Sequence, residues 1–373
     1  MYKVLVIGMS QNYGGIENVI FNYYNNFDRT KIQFDFCKSC KQKIAYEDTL
    51  KKWGSNIFYI PSKSTNLYKY KKYVNRFFKK FSNKYDCIWV NRNDLVNIDY
   101  LKLAKKYGIP RRIIHSHNVQ FLEKSRVKSI VHKLNSKLVS KYATDFWACS
   151  SDASKWFYSS KIRSEVVIVK NAINVSKFRY NGILRTKLKR KLGLEDKYVV
   201  GNVGRLGYQK NQIFLIKVFA KFLKLNPSAI LVLIGQGDQE RSLKALVKNL
   251  GLEKKVLFLG MKTNVQDLYN LFDIFVFPSR FEGLGIAGIE AQANGLTCFA
   301  SENRIPNEIK INPNFHFISL DKSELFWAKM MNKHINEMRI NSKVIKNNFE
   351  LAGYSLNTAS KYLQNLFLGK NNK

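Results

Sequence analysis

Cysteine, acidic side chains and long apolar runs are all scarce in this 373-residue chain. Five cysteines, an odd number in so long a chain, make no disulfide framework, and an oxidising compartment is not indicated. No stretch reaches the roughly 18 to 20 uninterrupted apolar residues that span a bilayer. The best candidate, residues 213–225, is cut by Lys217, Lys221 and Lys224, and the opening MYKVLVIGMS is too short an apolar run for a signal peptide. The expectation is a cytoplasmic protein whose membrane contact, if any, is peripheral on the inner face of the cell membrane. Acidic residues number 27 against 63 Lys and Arg, so the formal net charge is +36 and an anionic partner is expected. Nucleic acid, anionic lipid and phosphorylated small molecules all fit that charge. The first half is the more basic, although Asn, Lys, Ile and Tyr are in excess along the whole chain, which points to a genome-wide bias.

Disorder is excluded by what is present: 45% hydrophobic and 14% aromatic residues, enough for two or three cores. Short β-branched runs (4–7, 57–60, 87–90, 113–114, 146–148, 166–169) alternate with stretches of helical spacing such as 15–27, the pattern of a parallel sheet covered on both faces. The pattern restarts with runs at 198–200, 230–234, 256–259, 274–277 and 297–300. Two doubly wound α/β domains are therefore expected, over 1–180 and 181–354, with a hinge near Asn181 to Asp196 and a final helical segment, 355–373.

In open α/β sheets ligands sit beyond the carboxyl ends of the strands. The first strand leads into Gly14-Gly15-Ile16-Glu17, adjacent glycines opening a helix, where backbone can approach a phosphate or sugar. An ordinary strand-to-helix turn has the same sequence. The first strand of the second half leads into GNVGRLGYQKN, which sets Arg205 and Lys210 among glycines, Gly204 included, and two cations suit a diphosphate. Neither this spacing nor Gly235-Gln236-Gly237 matches the dinucleotide fingerprint, so a nicotinamide cofactor is disfavoured.

The richest stretch, residues 274–296, is a strand, a Pro-Ser turn, a glycine-broken loop and a helix. Glu282 and Glu290 can accept hydrogen bonds from sugar hydroxyls, and Gly283, Leu284, Gly285 and Ile286 can offer backbone N–H groups to phosphate oxygens. His115 and His117 follow another strand and suit a substrate contact or a plain loop; no carboxylate or cysteine stands at ligand spacing, so no metal is expected there. His132, His316 and His334 carry no motif context. Cys37-Lys38-Ser39-Cys40 has half-site spacing but no second pair. The basic stretches 68–81 and 121–141 fit either helices resting on an anionic membrane or helices with a buried stripe and solvated lysines.

Together these residues resemble the retaining glycosyltransferases of the GT-B fold known as family 4, or glycosyl transferases group 1, and within them the bacterial capsule and exopolysaccharide branch. The likeness covers nearly the whole chain: Gly14-Gly15-Ile16-Glu17, His115-Ser116-His117-Asn118, Ala148-Cys149-Ser150, Asn171-Ala172-Ile173-Asn174, Gly204-Arg205, Lys210-Asn211, Pro278-Ser279 and the Glu282, seven residues, Glu290 signature. Ala172 departs from the family's usual glycine.

The resemblance implies two Rossmann-like domains facing a central cleft, the first holding the acceptor, the second the sugar nucleotide, and the C-terminal helix crossing back to the first. It implies that Arg205 and Lys210 bind the donor diphosphate, that Glu290 binds the ribose hydroxyls, and that Glu282 faces the donor sugar. His117 matches the histidine contacting sugar or acceptor, with His115 its competitor; Gly15 lets backbone approach the diphosphate, and Glu17 stands beside it. A UDP-sugar donor, a glycan or lipid-linked glycan acceptor, retention of configuration and no cofactor or metal are implied as well, and the sequence has no Asp-x-Asp triplet. Against this stand a non-catalytic polyanion or nucleic-acid binder, which gives no reason for Glu282 and Glu290, and a GT-B epimerase or phosphorylase.

Overall fold

The computed structural model describes residues 1–39, 42–121 and 125–370. Cys40 lies outside them, as do residues 122–124 of the second basic stretch. The chain divides into two compact units, residues 1–172 with 356–373, and residues 173–355.

The first unit is built on seven parallel strands, β1 (Tyr2–Ile7), β2 (Ile32–Lys38), β3 (Ile57–Tyr59), β4 (Cys87–Arg92), β5 (Arg111–Ser116), β6 (Asp145–Ala148) and β7 (Val167–Ile168), in the order β3-β2-β1-β4-β5-β6-β7. Val4, Leu5, Val6 and Cys87 through Val90 are buried on both faces, as a strand covered by helices on each side requires. β2 is a strand that apolar patterning alone underrates, because Asp35 interrupts it. That carboxylate is buried and accepts from Asn56 N (2.8 Å) and Tyr85 Oη (2.9 Å), which offsets its desolvation. The helix Leu356–Phe367 belongs to this unit. Phe367 meets Phe34, Trp89 and Trp147 at 5.2 to 5.5 Å between ring centres, while Arg111 donates to Leu366 O (2.6 Å) and Phe367 O (2.8 Å).

The second unit has six parallel strands, β8 (Tyr198–Val203), β9 (Ala229–Ile234), β10 (Val256–Phe258), β11 (Ile274–Phe277), β12 (Thr297–Ser301) and β13 (Phe315–Ile318), ordered β10-β9-β8-β11-β12-β13. Its core takes up Leu215, Ile216, Val218, Phe219 and Phe222 from the helix Gln212–Leu225, so the longest near-apolar run of the sequence is core packing. Among the described residues no helix is long and apolar enough to cross a membrane.

Residues 173–180 go with the second unit, eight residues ahead of the expected boundary. Phe178 O accepts from Asn294 Nδ2 (2.7 Å) and Asn181 N donates to Asn270 Oδ1 (2.8 Å), both within that unit. The basic, helix-like stretch at the expected hinge is a helix, Gly182–Leu192, and lies inside the second unit. Arg185 ties it down by donating to the carbonyls of Asn270, Leu271 and Phe272 and pairing with Asp273 at 2.6 Å.

Both sheets reverse direction once in strand order, between β1 and β4 and between β8 and β11. At such a point the loops leaving the two central strands turn to opposite faces and open a crevice at the carboxyl edge.

Candidate functional site

In the second unit the loops beyond β8 and β11 are laced together. Lys210 Nζ sits 2.7 Å from Glu282 Oε1, with the carboxylate side chain only 6% exposed. Gln209 Nε2 donates to Phe281 O (3.1 Å) and lies 3.4 Å from Glu282 Oε2, and Gln209 O accepts from Arg280 N (2.8 Å). An ammonium has three N–H groups, so holding Glu282 leaves Lys210 further donors for an anion. Arg205 is not drawn into this cluster: it pairs with Asp238 at 3.2 Å, both side chains about two-thirds exposed.

Glycines allow the loops to approach. A Cβ on Gly235, at φ +136°, would stand 2.0 Å from Gly204 O. Gly235 therefore serves contact between the β8 and β9 loops, a role unrelated to the dinucleotide motif already rejected for it.

The helix Ile286–Ala293 opens from Gly285 at φ +90°. Gly288 N of its first turn donates back to Gly285 O (2.9 Å), and the helix start carries the positive end of the dipole. Glu290 projects from its second turn and accepts from Tyr269 Oη (2.8 Å). Burial pushes the Glu290 carboxyl up to about 7, against the opposing pull of that hydrogen bond and of the Lys210 charge. Ser279 Oγ and Asn211 Oδ1 are buried close by in sequence without a partner among the described residues. The unit thus gathers a cation, two carboxylates, a helix N-terminus and unpaired polar atoms at one strand edge, the donor set that a diphosphate attached to hydroxyl-bearing sugars requires.

In the first unit the corresponding position is formed by Gly8, Asn91 and His117. A Cβ on Gly8, at φ +124°, would meet Asn91 O at 2.6 Å, so only glycine lets β1 leave alongside β4. Asn91 Nδ2 donates to Ile7 O (3.3 Å), which turns Asn91 Oδ1 toward His117 Nε2 at 2.8 Å. This assigns the His117 proton to Nε2 and leaves Nδ1, which has no protein partner, as an acceptor. Burial holds His117 down at about 3, so it is neutral at pH 7. His115 is fully buried, lies 5.8 Å from the Trp89 ring and 4.1 Å from His117, and among the described residues neither of its nitrogens has a partner; burial holds it well below its ordinary value.

Glu17 has local work. It is 6% exposed, and its Oε1 accepts from Ser10 N (2.9 Å), pinning the glycine loop to its own helix. A Cβ on Gly15 would meet nothing within 4 Å, so the space beside it is open.

No sequence motif marks Asn91, Gln209, Asp238 or Tyr269. Tyr269 sits among Phe272 and Phe275, at 5.9 and 5.8 Å, where it is indistinguishable from core aromatics until its hydroxyl is located. His132 is structural: Nδ1 accepts from Leu95 N (3.1 Å) and its ring stacks on Trp156. Cys37 is buried and pushed up to about 12, which makes it a poor thiolate source.

Residues 185–348 match the family model described as glycosyl transferases group 1. The chain is 30% identical over 310 residues, 81% of its length, to "Putative glycosyltransferase EpsF" of Bacillus subtilis, and covers 79% of that protein. It is 27% identical over 288 residues, 72% of each chain, to the UDP-Gal:alpha-D-GlcNAc-diphosphoundecaprenol alpha-1,3-galactosyltransferase of Escherichia coli. Among solved structures, Anabaena HepE in complex with UDP and glucose superposes with a TM-score of 0.80 at 17% identity, over 99% of this chain and all of that one, a likeness of fold. Two parallel-sheet units with strand-end sites are the GT-B architecture, and the sequence similarity extends over both of them. The chain belongs to the glycosyl transferases group 1 family and is a glycosyltransferase.

Proposed function

We propose that the chain moves a sugar from a UDP-sugar to a glycan or lipid-linked glycan acceptor, with retention of configuration, in the synthesis of a capsule or exopolysaccharide. The observation that carries this reading is the Lys210, Glu282 and Glu290 cluster at the β8/β11 strand edge. Lys210 and Arg205 bind the donor diphosphate, together with the backbone N–H groups of 283–286. Glu290 accepts from the ribose hydroxyls, and Glu282, already fixing Lys210, faces the sugar. His117 offers Nδ1 to a hydroxyl of sugar or acceptor.

As the bond between the anomeric carbon and the phosphate oxygen breaks, the acceptor hydroxyl attacks the same face and its proton passes to the departing phosphate. Negative charge grows on the diphosphate, and Lys210 and Arg205 meet it where another enzyme uses a divalent ion. The UDP choice is supported by the galactosyltransferase relative and by the UDP held in HepE, each a property of that protein.

A lipid-linked acceptor gains support from the helix Arg126–Leu138. Val127, Ile130, Leu134 and Leu138 are exposed along one face, flanked by Arg126, Lys128, Lys133 and Lys137, and His132 is its only fully buried residue. Apolar residues at that spacing with a basic border suit an anionic membrane surface. The other basic helix, Leu67–Phe81, buries Tyr70, Val74, Phe77 and Phe78 and has the ordinary structural role.

The test is transfer of radiolabelled sugar from UDP-glucose, UDP-galactose and UDP-N-acetylglucosamine into solvent-extractable lipid of bacterial membranes, in excess chelator. Label in lipid with the donor's anomeric configuration supports the proposal. Free glycosyl phosphate, donor epimerisation, or full activity on a soluble acceptor with no membrane binding would replace it with a phosphorylase, an epimerase, or a transferase acting away from the membrane.

A further inference from the structure

We propose that His316, His334 and Glu337 form a binding site for one divalent transition-metal ion of the zinc class, on the β13 edge of the second unit. His316 Nε2 and His334 Nδ1 each stand 3.2 Å from the same oxygen, Glu337 Oε2, and the three ligand atoms all lie within 4.8 Å of one another. A tetrahedral ion with bonds of about 2.0 to 2.1 Å sets its ligand atoms about 3.3 Å apart, so the two nitrogen-to-oxygen spacings are already those of a bound site. The His316 and His334 rings stand 4.1 Å apart between centres.

The surroundings fix the ligands. Phe299 of β12 stacks on the His316 ring at 5.4 Å and meets the His334 ring edge-on at 5.9 Å. Thr297 Oγ1 donates to Glu337 Oε2 (3.1 Å), the kind of outer hydrogen bond that orients a metal-binding carboxylate. The side chains are 21 to 31% exposed, which leaves an entry path and a fourth position for water. Two nitrogen ligands select zinc, cobalt, nickel or copper over magnesium and calcium.

The ion would clip β13 to the end of the helix Glu324–Lys333. From there the chain runs to Arg339, which donates to Asn294 O and Phe272 O inside the unit. None of the three ligands lies in the strand-end loops, so the site is independent of the transferase chemistry proposed above.

The experiment titrates tag-free, chelator-stripped full-length chain with Zn²⁺ by calorimetry and with Co²⁺ by absorbance, beside His334→Ala and Glu337→Gln checked for folding by circular dichroism. The expected result is one equivalent bound, at least tenfold weaker in either variant, with Zn²⁺ raising Tm in the parent chain alone. The Co²⁺ spectrum should show ligand-field bands without thiolate charge transfer. No stoichiometric binding, equal affinity in both folded variants, or a thiolate band overturns the assignment; should His334→Ala fail to fold, Glu337→Gln and the Co²⁺ spectrum still decide it. Sugar transfer that fails while Zn²⁺ still binds would count against the transferase reading alone.

Discussion

With Glu290 in its proposed role, donor binding should depend on pH between about 6 and 8. Raising its carboxyl from the ordinary 4.5 to about 7 makes ionisation in the folded chain cost about 3 kcal/mol more than in water. If only the carboxylate accepts both ribose hydroxyls, the competent fraction is about one in eleven at pH 6 and about ten in eleven at pH 8, so the association constant rises about tenfold. The sign follows from the direction of the shift: the neutral acid prevails below 7, and affinity is gained as pH rises through it. Because His115 and His117 are held far below this range by burial, they add no slope. The assay is calorimetric titration with an intact sugar nucleotide, whose diphosphate diester does not titrate between pH 6 and 8. Glu290→Gln should flatten the curve, and Tyr269→Phe, which removes a hydrogen bond that lowers the carboxyl's value, should move its midpoint upward. Equal affinity at pH 6 and pH 8, or an unchanged slope in Glu290→Gln, refutes the assigned role.

Lys210→Ala should lower kcat by about 10²- to 10³-fold and also lower Tm, because Glu282 is left buried without its ion-pair partner. Adding Glu282→Gln should recover much of the Tm and none of the rate, as measured by thermal unfolding and nucleotide release. His115→Phe should fold and keep its stability, since both ring nitrogens are buried without partners, whereas His117→Phe should lose activity while folding; equal loss in both would reassign the histidines. A variant with Val127, Ile130 and Leu134 changed to Ser should sediment less with phosphatidylglycerol vesicles at unchanged Tm, because those side chains are exposed.

The strand-and-helix alternation was legible because buried parallel strands are short continuous apolar runs, as in Val4 to Ile7 and Ile274 to Phe277. β2 carries the buried Asp35 among its apolar residues, and that carboxylate's partners, Asn56 and Tyr85, are 21 and 50 residues away. Strand-end loops could be found from the order of elements alone, which is why Lys210, Glu282 and Glu290 emerged from the sequence. Their couplings could not: Lys210 to Glu282 spans 72 residues and Tyr269 to Glu290 spans 21. Glu17 is tied locally, its Oε1 accepting from Ser10 N of its own loop, a bond that no motif reveals. His334 and Glu337 stand three residues apart, but nothing in the sequence ties them to His316, which the position of β13 beside the end of a helix brings to them.

The central claim is that Lys210 and Glu290 hold a sugar nucleotide for transfer, and nucleotide release tests it most directly. Purified chain is incubated with uridine, guanosine and adenosine diphosphate sugars in excess chelator, with membrane extract as acceptor, beside Lys210→Ala and Glu290→Ala of verified fold. The account predicts release of UDP from one donor, undiminished by chelator and lost in both variants. Release that persists in both folded variants, or no binding and no release with any donor, would contradict it.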